Sequence, residues 1–195
     1  MAITYPLTPP AAFRTARAIW TPKTAVAMNQ GPFTGQQQVL AHRGSYWELE
    51  LDVPMAKRAS ADDIEGFLLS LNGLEGTFWY GDRTRTTTRG TAAGTKTVGA
   101  GAAANSTTLP IAGGTGSFAV GDWVQVSNQL FRVLQVNSTT SIDVFPKLRS
   151  AYASGTSLVY ASPKGLFRLK GPAAMSVPVW QLYGPWGVSC VEVVT

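Results

Sequence analysis

The chain has 195 residues, of which 45% are hydrophobic and 14% are charged, and its formal net charge is +5. This composition excludes a disordered tail, and no apolar run reaches the roughly 18 residues of a membrane-spanning helix, so we expect a soluble protein. Because Cys190 is the only cysteine and His42 the only histidine, an internal disulfide and a clustered Cys/His metal site are excluded. The first ten residues have no secretory-signal pattern, which favours cytosolic synthesis.

The first forty residues predict short strands joined by turns. Residues 1–12 are rich in proline and small side chains, and we expect them to form an arm on the protein surface. Pro22-Lys23, the loop at 30–35 and Arg43-Gly44 are the expected turns, because proline and glycine interrupt regular structure there. The strands predicted between these turns are 13–20, 24–29 and 36–40.

The most regular stretch of the chain begins with a strand at 46–53. Apolar and acidic side chains alternate along it, which predicts one buried face and one solvent-facing face. The buried set is Trp47, Leu49, Leu51 and Val53, and the acidic set is Glu48, Glu50 and Asp52.

A helix is predicted next, from about residue 60 to 73. Ser60 and Asp63 have the spacing of a capping box at its start, and Asn72-Gly73 favours a left-handed ending. One apolar stripe runs down this helix at the i, i+3, i+4, i+7 spacing and consists of Ile64, Phe67, Leu68 and Leu71. We expect the stripe to cover a sheet that contains the preceding strand and an aromatic strand at 77–80.

The composition changes after Gly81, which predicts a second structural unit. Residues 84–117 are dominated by Thr, Gly, Ala and Ser and are expected to be a flexible or extended connection. Four or five short strands follow without a helix, among them the hairpin Trp123–Val126 and Leu130–Val136, and they predict a small β-barrel. Strands expected later, at 166–169, 176–180 and 187–194, return the chain to the first sheet.

The predicted fold is therefore mainly β, of the α+β class, with two domains. A first domain comprises 1–82 plus 163–195, and the barrel module is inserted at 83–162.

No catalytic constellation is recognisable. A catalytic triad would need His42, which we expect in a loop, and no nucleophile motif is present. The acidic residues at 48, 50 and 52 could serve acid catalysis or bind a hard metal ion. Alternate residues of one strand lie about 7 Å apart, however, which favours a solvated face. Gly113–Gly116 lacks the lysine of a phosphate loop, and Cys190 is expected in the core. We expect no enzyme, cofactor or metal.

Two groups of residues are candidates for contacts. Arg83, Arg85 and Arg89 stand in a threonine-rich stretch, which fits a solvated linker, a phosphate contact or a subunit contact. Most of the six tryptophans should be buried, whereas Trp180 and Trp186 lie in a proline-broken segment and are expected to be exposed.

Several segments resemble minor tail proteins of siphovirus-type bacteriophages, and by architecture the family of distal tail proteins most of all. Together they span nearly the whole chain; they are 33–39, 46–51, 54–55, 67–71, 76–78, 119–126, 145–149 and 163–165. The resemblance implies a tail-tube-like antiparallel β-sandwich flanked by one helix, with an additional small β module. A long hairpin arm and a sugar-binding domain are not recognisable in this sequence.

The resemblance also implies a role in the virion. The chain would form a homo-oligomeric, hexameric ring at the tail tip that joins the tail tube to the baseplate. Its partners would be the tail tube protein, tail hub or baseplate proteins and the tape measure protein, with DNA passing unbound and no membrane contact. Glu48, Glu50 and Asp52 would line the channel, where negative charge keeps DNA from adhering. Arg83, Arg85, Arg89, Trp180 and Trp186 would contact neighbouring subunits.

An alternative is a carbohydrate-binding or nucleic-acid-binding module. It would use the inserted barrel, with Trp123 and Phe131 as stacking platforms. A wall hydrolase that uses the acidic strand is a third possibility.

Overall fold

The computed structural model describes residues 3–173 and 180–194, except for the side chains of residues 41–43. In chain order the strands are β1 (Arg17–Gln30), β2 (Gln37–Val53), β3 (Ala56–Lys57), β4 (Thr77–Tyr80), β5 (Lys96–Val98), β6 (Thr108–Ala112), β7 (Trp123–Val126), β8 (Gln129–Ser138), β9 (Ser141–Phe145), β10 (Ser157–Val159), β11 (Gly165–Leu169), β12 (Leu182–Tyr183) and β13 (Trp186–Glu192). The one helix of the described residues, α1, spans Arg58–Ser70.

The strands form three groups. A five-stranded antiparallel sheet has the order β1-β2-β13-β11-β4, and a closed barrel has the order β10-β5-β6-β9-β8-β7. The short strands β3 and β12 pair with each other. The prediction of a mainly β fold with one helix and a small barrel is confirmed. The strand expected at 176–180 falls largely outside the described residues.

The N-terminal strands are longer than predicted. Instead of three short strands before the acidic strand, the chain forms one long hairpin of β1 and β2. Pro22 lies within β1 opposite Trp47, and proline is tolerated there because β1 is the edge of the sheet. Gly44, at φ +136°, lies opposite the point where the register shifts after Thr24. The hairpin has an irregularity there, and the pairing of β1 with β2 continues beyond it.

Three predictions about this segment are therefore wrong. The turns expected at Pro22-Lys23 and Arg43-Gly44 are continuous strand, and His42 lies in β2 rather than in a loop. A long hairpin is present although none was recognised in the sequence.

The helix starts earlier and ends earlier than predicted. It begins after Lys57, whose side chain makes no capping hydrogen bond, so the predicted capping box of Ser60 and Asp63 is wrong. The start of the helix is set by the pairing of β3 with the distant β12, because this pairing holds the residues just before the helix in extended conformation. The left-handed ending is confirmed, with φ +47° at Asn72 and +64° at Gly73. The predicted apolar stripe is buried against the sheet.

The barrel contains a strand that the sequence did not indicate. β5 lies inside the segment 84–117, which was expected to be a flexible connection. It pairs with β6 and β10 and contributes the buried Val98 to the barrel core. The Lys96 side chain is also buried, and its Nζ donates a hydrogen bond to the Gly116 carbonyl at 3.2 Å. Small and polar residues thus complete a barrel whose core is built by the later strands.

A buried carboxylate joins the barrel to the sheet. Glu192, at the end of β13, accepts hydrogen bonds from the backbone N–H groups of Trp47 at 3.1 Å and Leu130 at 3.3 Å. Arg149 Nη2 lies 2.6 Å from Glu192 Oε2 in an ion pair, and Arg149 Nη1 donates to the Val193 carbonyl at 2.8 Å. Burial raises the pKa of Glu192, whereas the Arg149 charge and the two N–H donors favour its ionised form.

Three tryptophans pack across the same junction. Trp20 of β1 and Trp47 of β2 contact Trp123 of the barrel, with ring centroids 4.8 Å and 5.2 Å away. Trp47 Nε1 also donates a hydrogen bond to the Leu130 carbonyl at 3.2 Å. The junction between the two units therefore combines aromatic packing with a buried polar network.

Replacing the junction carboxylate should destabilise the protein strongly. Glu192→Gln would leave the Arg149 charge without its partner, and breaking a buried ion pair costs about 3–5 kcal/mol. We expect the free energy of unfolding, measured by urea denaturation, to fall by that amount. Asp52→Asn is the control, because the one salt bridge of Asp52 within the described residues is an exposed 3.9 Å pair with Arg17, and it should cost less than about 1 kcal/mol. Equal losses for the two variants would contradict the proposed importance of Glu192.

Candidate interaction surface

The distal half of the β1–β2 hairpin has no neighbouring strand among residues 3–173 and 180–194. β13 pairs with β2 only over 48–53, whereas the pairing of β1 with β2 continues to Gln30 and Gln37. We call residues 24–40 the hairpin arm. Within the described part of the chain, both long edges of the arm lack a strand partner.

Apolar side chains are exposed on both faces of the arm. Opposite residues of paired strands share a face, so Val26, Met28 and Val39 lie on one face and Ala27 and Leu40 on the other. All five are exposed, with Met28 at 60% and Leu40 at 58%. The arm therefore presents apolar surface in two directions and has no core of its own.

The tip of the arm continues this apolar surface. Phe33 is 99% exposed in the loop between the strands, beside Pro32. A fully exposed phenylalanine at the tip of a hairpin is a favourable anchor for a protein contact, because burying its ring gains hydrophobic free energy.

The arm also carries no charge. Residues 24–40 contain no Asp, Glu, Lys, Arg or His. Natural edge strands are usually protected from association by charged residues, and an isolated two-stranded ribbon is marginally stable in water. The unprotected edges and faces favour a protein partner for the arm. The uncharged run was visible in the sequence, but its significance depends on the strand length and the missing neighbours.

The acidic face of β2 is accompanied by basic side chains. Glu48 lies 3.3 Å from Lys23 Nζ and 3.1 Å from Lys170 Nζ. The hydrogen bond from Lys170 lowers the pKa of Glu48, assisted by Lys23. Asp52 lies 3.9 Å from Arg17, and Glu50 forms no salt bridge within the described residues. The channel-lining role of these three acidic residues stays a prediction.

The three linker arginines are exposed but do not form one patch. Arg83 lines a pocket of about 300 Å³ together with Trp79 and Lys164. Arg85 and Arg89 line a different pocket, which also contains Arg132 of β8. Their contact with neighbouring subunits stays a prediction.

Two expectations about aromatic residues are wrong. Trp186 is 1% exposed, because it begins the inner strand β13 opposite Val53, and so it cannot contact a neighbouring subunit. Trp123 and Phe131 are buried, so neither ring is available as a stacking platform. Trp180 is exposed as expected, at 95%, and its contact role stays a prediction.

The expected burial of Cys190 is confirmed. This residue lies in the sheet core, and burial raises the pKa of its thiol to about 12.

Neither a metal cluster nor a membrane helix is found in residues 3–173 and 180–194. No three or more His, Cys, Asp or Glu side chains converge there, and no helix there combines the length and apolarity of a membrane span. Comparisons with protein-family models and with curated proteins found no match to the chain.

The Glu48 contacts should make stability depend on pH. Ionised Glu48 is favoured in the folded state, so its stabilising effect is complete above its ordinary pKa of 4.5 and is lost as pH falls through its lowered folded pKa. We expect Glu48→Gln to lose less stability than the wild type between about pH 6 and pH 3, measured by urea denaturation. Glu50→Gln is the control on the same strand face, because Glu50 forms no salt bridge within the described residues whereas Glu48 forms two. Identical pH profiles for wild type and Glu48→Gln would contradict this role.

Proposed function

We propose that the protein is a structural component of a bacteriophage tail tip. In this proposal, six copies of the chain form a ring that joins the tail tube to the baseplate or tip around the DNA channel. The observation that carries the proposal is the hairpin arm. An uncharged ribbon with apolar side chains on both faces and at its tip needs a protein partner to remove that surface from water.

A second copy of the same chain is the partner that would bury the apolar surface of the hairpin arm in every copy. In a cyclic assembly each subunit contributes its arm to one neighbour and receives the arm of the other. The contact repeats around the ring, and no arm is left exposed when the ring closes. The motifs that resemble distal tail proteins support the same arrangement.

The fold supports the finer architectural proposal, a tail-tube-like sandwich with an added module. The five-stranded sheet carries α1 on one side, and the six-stranded barrel is formed by strands between Lys96 and Val159. A sheet covered on one side by a helix leaves its other side for neighbouring subunits or the channel.

The acidic face of β2 would line that channel. Its net charge is less negative than its three acidic residues alone suggest. Glu48, Glu50 and Asp52 carry three negative charges; Lys23 and Lys170 both pair with Glu48, Arg17 pairs with Asp52, and Glu50 has no salt bridge within the described residues. A lining with near-zero net charge attracts DNA only weakly, because phosphate binding depends on an excess of Lys and Arg. DNA would pass without specific binding.

The proposed location in the virion is directly testable. Virions purified from cells that produce this protein should contain it, as detected by mass spectrometry, and gold-labelled antibody should mark the end of the tail. The neighbours expected from cross-linking are the tail tube protein, hub or baseplate proteins and the tape measure protein. Recovery of the protein only as a free species in the lysate would refute the virion role.

A charge placed on the arm should prevent assembly. Leu40→Lys removes an apolar contact worth about 1.5–3 kcal/mol when buried, so each contact should weaken by about tenfold or more. We expect sedimentation velocity to show subunits in place of rings. Leu134→Lys is the matched control, since Leu134 lies on the barrel strand β8 and is 53% exposed compared with 58% for Leu40. Equal assembly by both variants would exclude the arm as the ring contact while leaving the virion location to the labelling experiment.

A further inference from the structure

A pocket on the outside of the barrel brings together arginines from distant parts of the chain. It has a volume of about 200 Å³ and lies where the segment after β4 passes β7 and β8. Its lining consists of Arg85, Thr87, Arg89, Gly121, Asp122, Trp123 and Arg132. Arg85 and Arg89 come from the linker, and Arg132 comes from the barrel.

Arg132 is held against a fixed aromatic surface. It lies directly opposite Trp123 in the pairing of β7 with β8, and its Cζ is 5.2 Å from the centre of the indole ring. Trp123 is in turn packed against Trp20 and Trp47. A guanidinium stacked on a rigid indole loses little further freedom when it binds a ligand.

The linker is pinned beside Arg132 by Asp122. The Asp122 carboxylate accepts hydrogen bonds from the backbone N–H groups of Arg89 at 2.7 Å, Gly90 at 3.4 Å and Ala119 at 2.8 Å. An added Cβ at Gly90 would lie 2.3 Å from the Ser117 carbonyl oxygen, so the linker backbone passes too close for any other residue. Asp122 therefore positions Arg89 through its backbone N–H.

The pocket has few negative groups to balance these arginines. The carboxylate of Asp122 is occupied by backbone amides. Asp82 lies 3.8 Å from Arg85 and also accepts hydrogen bonds from the Thr84 backbone N–H and hydroxyl. Neither Arg89 nor Arg132 forms a salt bridge within the described residues. Burial lowers the pKa of Arg132, and the nearby charge of Arg85 lowers it further, while the Asp82 carboxylate acts in the opposite direction with a smaller effect. Like charges held together in a partly buried pocket are stabilised by an anion.

We propose that this pocket binds a phosphate group through Arg85, Arg89 and Arg132. Guanidinium groups present paired N–H donors that match the oxygens of phosphate, and they do so better than lysines. The volume suffices for a phosphate with several waters, since one water occupies about 30 Å³ in the liquid. Free phosphate and the backbone phosphate of a nucleic acid share this chemistry. The proposal is independent of ring formation.

Calorimetric titration of the full-length protein with inorganic phosphate tests the site, with chloride at matched ionic strength as the reference. We expect Arg132→Gln and Arg85→Gln each to weaken phosphate binding about 10- to 100-fold, the range for losing a charge-assisted hydrogen bond. Arg132→Lys should bind phosphate more tightly than Arg132→Gln but more weakly than the wild type. Lysine keeps the positive charge and loses the paired N–H donors of the guanidinium. Arg168→Gln is the matched control and should bind as the wild type does, because Arg168 is the exposed residue of the otherwise buried strand β11 and does not line the pocket.

Three results would overturn the proposal: no phosphate-specific heat in the wild type, equal affinity of wild type and Arg85→Gln, or an equal loss in Arg168→Gln. The Arg85 side chain is 53% exposed, so Arg85→Gln should fold and tests the proposal even if Arg132→Gln fails to fold.

A second titration with a single-stranded oligonucleotide identifies the source of the phosphate. Tighter binding than inorganic phosphate, with a salt dependence that decreases in Arg132→Gln, would assign the pocket to a nucleic-acid backbone. Binding of inorganic phosphate alone would assign it to the free ion.

Discussion

The buried carboxylate of Glu192 determines how the barrel is seated on the sheet. It receives N–H groups from Trp47 of β2 and Leu130 of β8, and it pairs with Arg149 after β9. Because an unpaired charge in this position would be costly, the three segments are held in one arrangement. The aromatic rings of Trp20, Trp47 and Trp123 fill the space beside this network.

Both surfaces that we consider functional are supported from this junction. The hairpin is anchored by Trp20 and Trp47 in its proximal half, so the arm begins on a rigid base although it has no core of its own. The position of Arg132 in the arginine pocket depends on Trp123. The Arg132 guanidinium lies over the Trp123 ring, which belongs to the same aromatic cluster. A single packed region thus positions an apolar contact surface and a cationic one.

Charge is distributed very unevenly over the molecule. The face with Glu48 and Asp52 is balanced by basic partners, the arm has no charge, and arginines gather beside the linker. The net charge of +5 therefore says less about partners than the local arrangement does. Association of the arm would be driven by apolar burial, whereas the pocket would select an anion.

Local periodicity in the sequence determined the buried face of β2, the apolar stripe and left-handed end of α1, and the hairpin of β7 and β8. These features depend on residues close together in the chain. Tertiary structure alone decided the rest. Edge position allowed Pro22 inside β1, pairing with β12 moved the start of α1, and an inner strand buried Trp186. The Glu192 junction and the arginine pocket join residues distant in sequence, so no local pattern could reveal them.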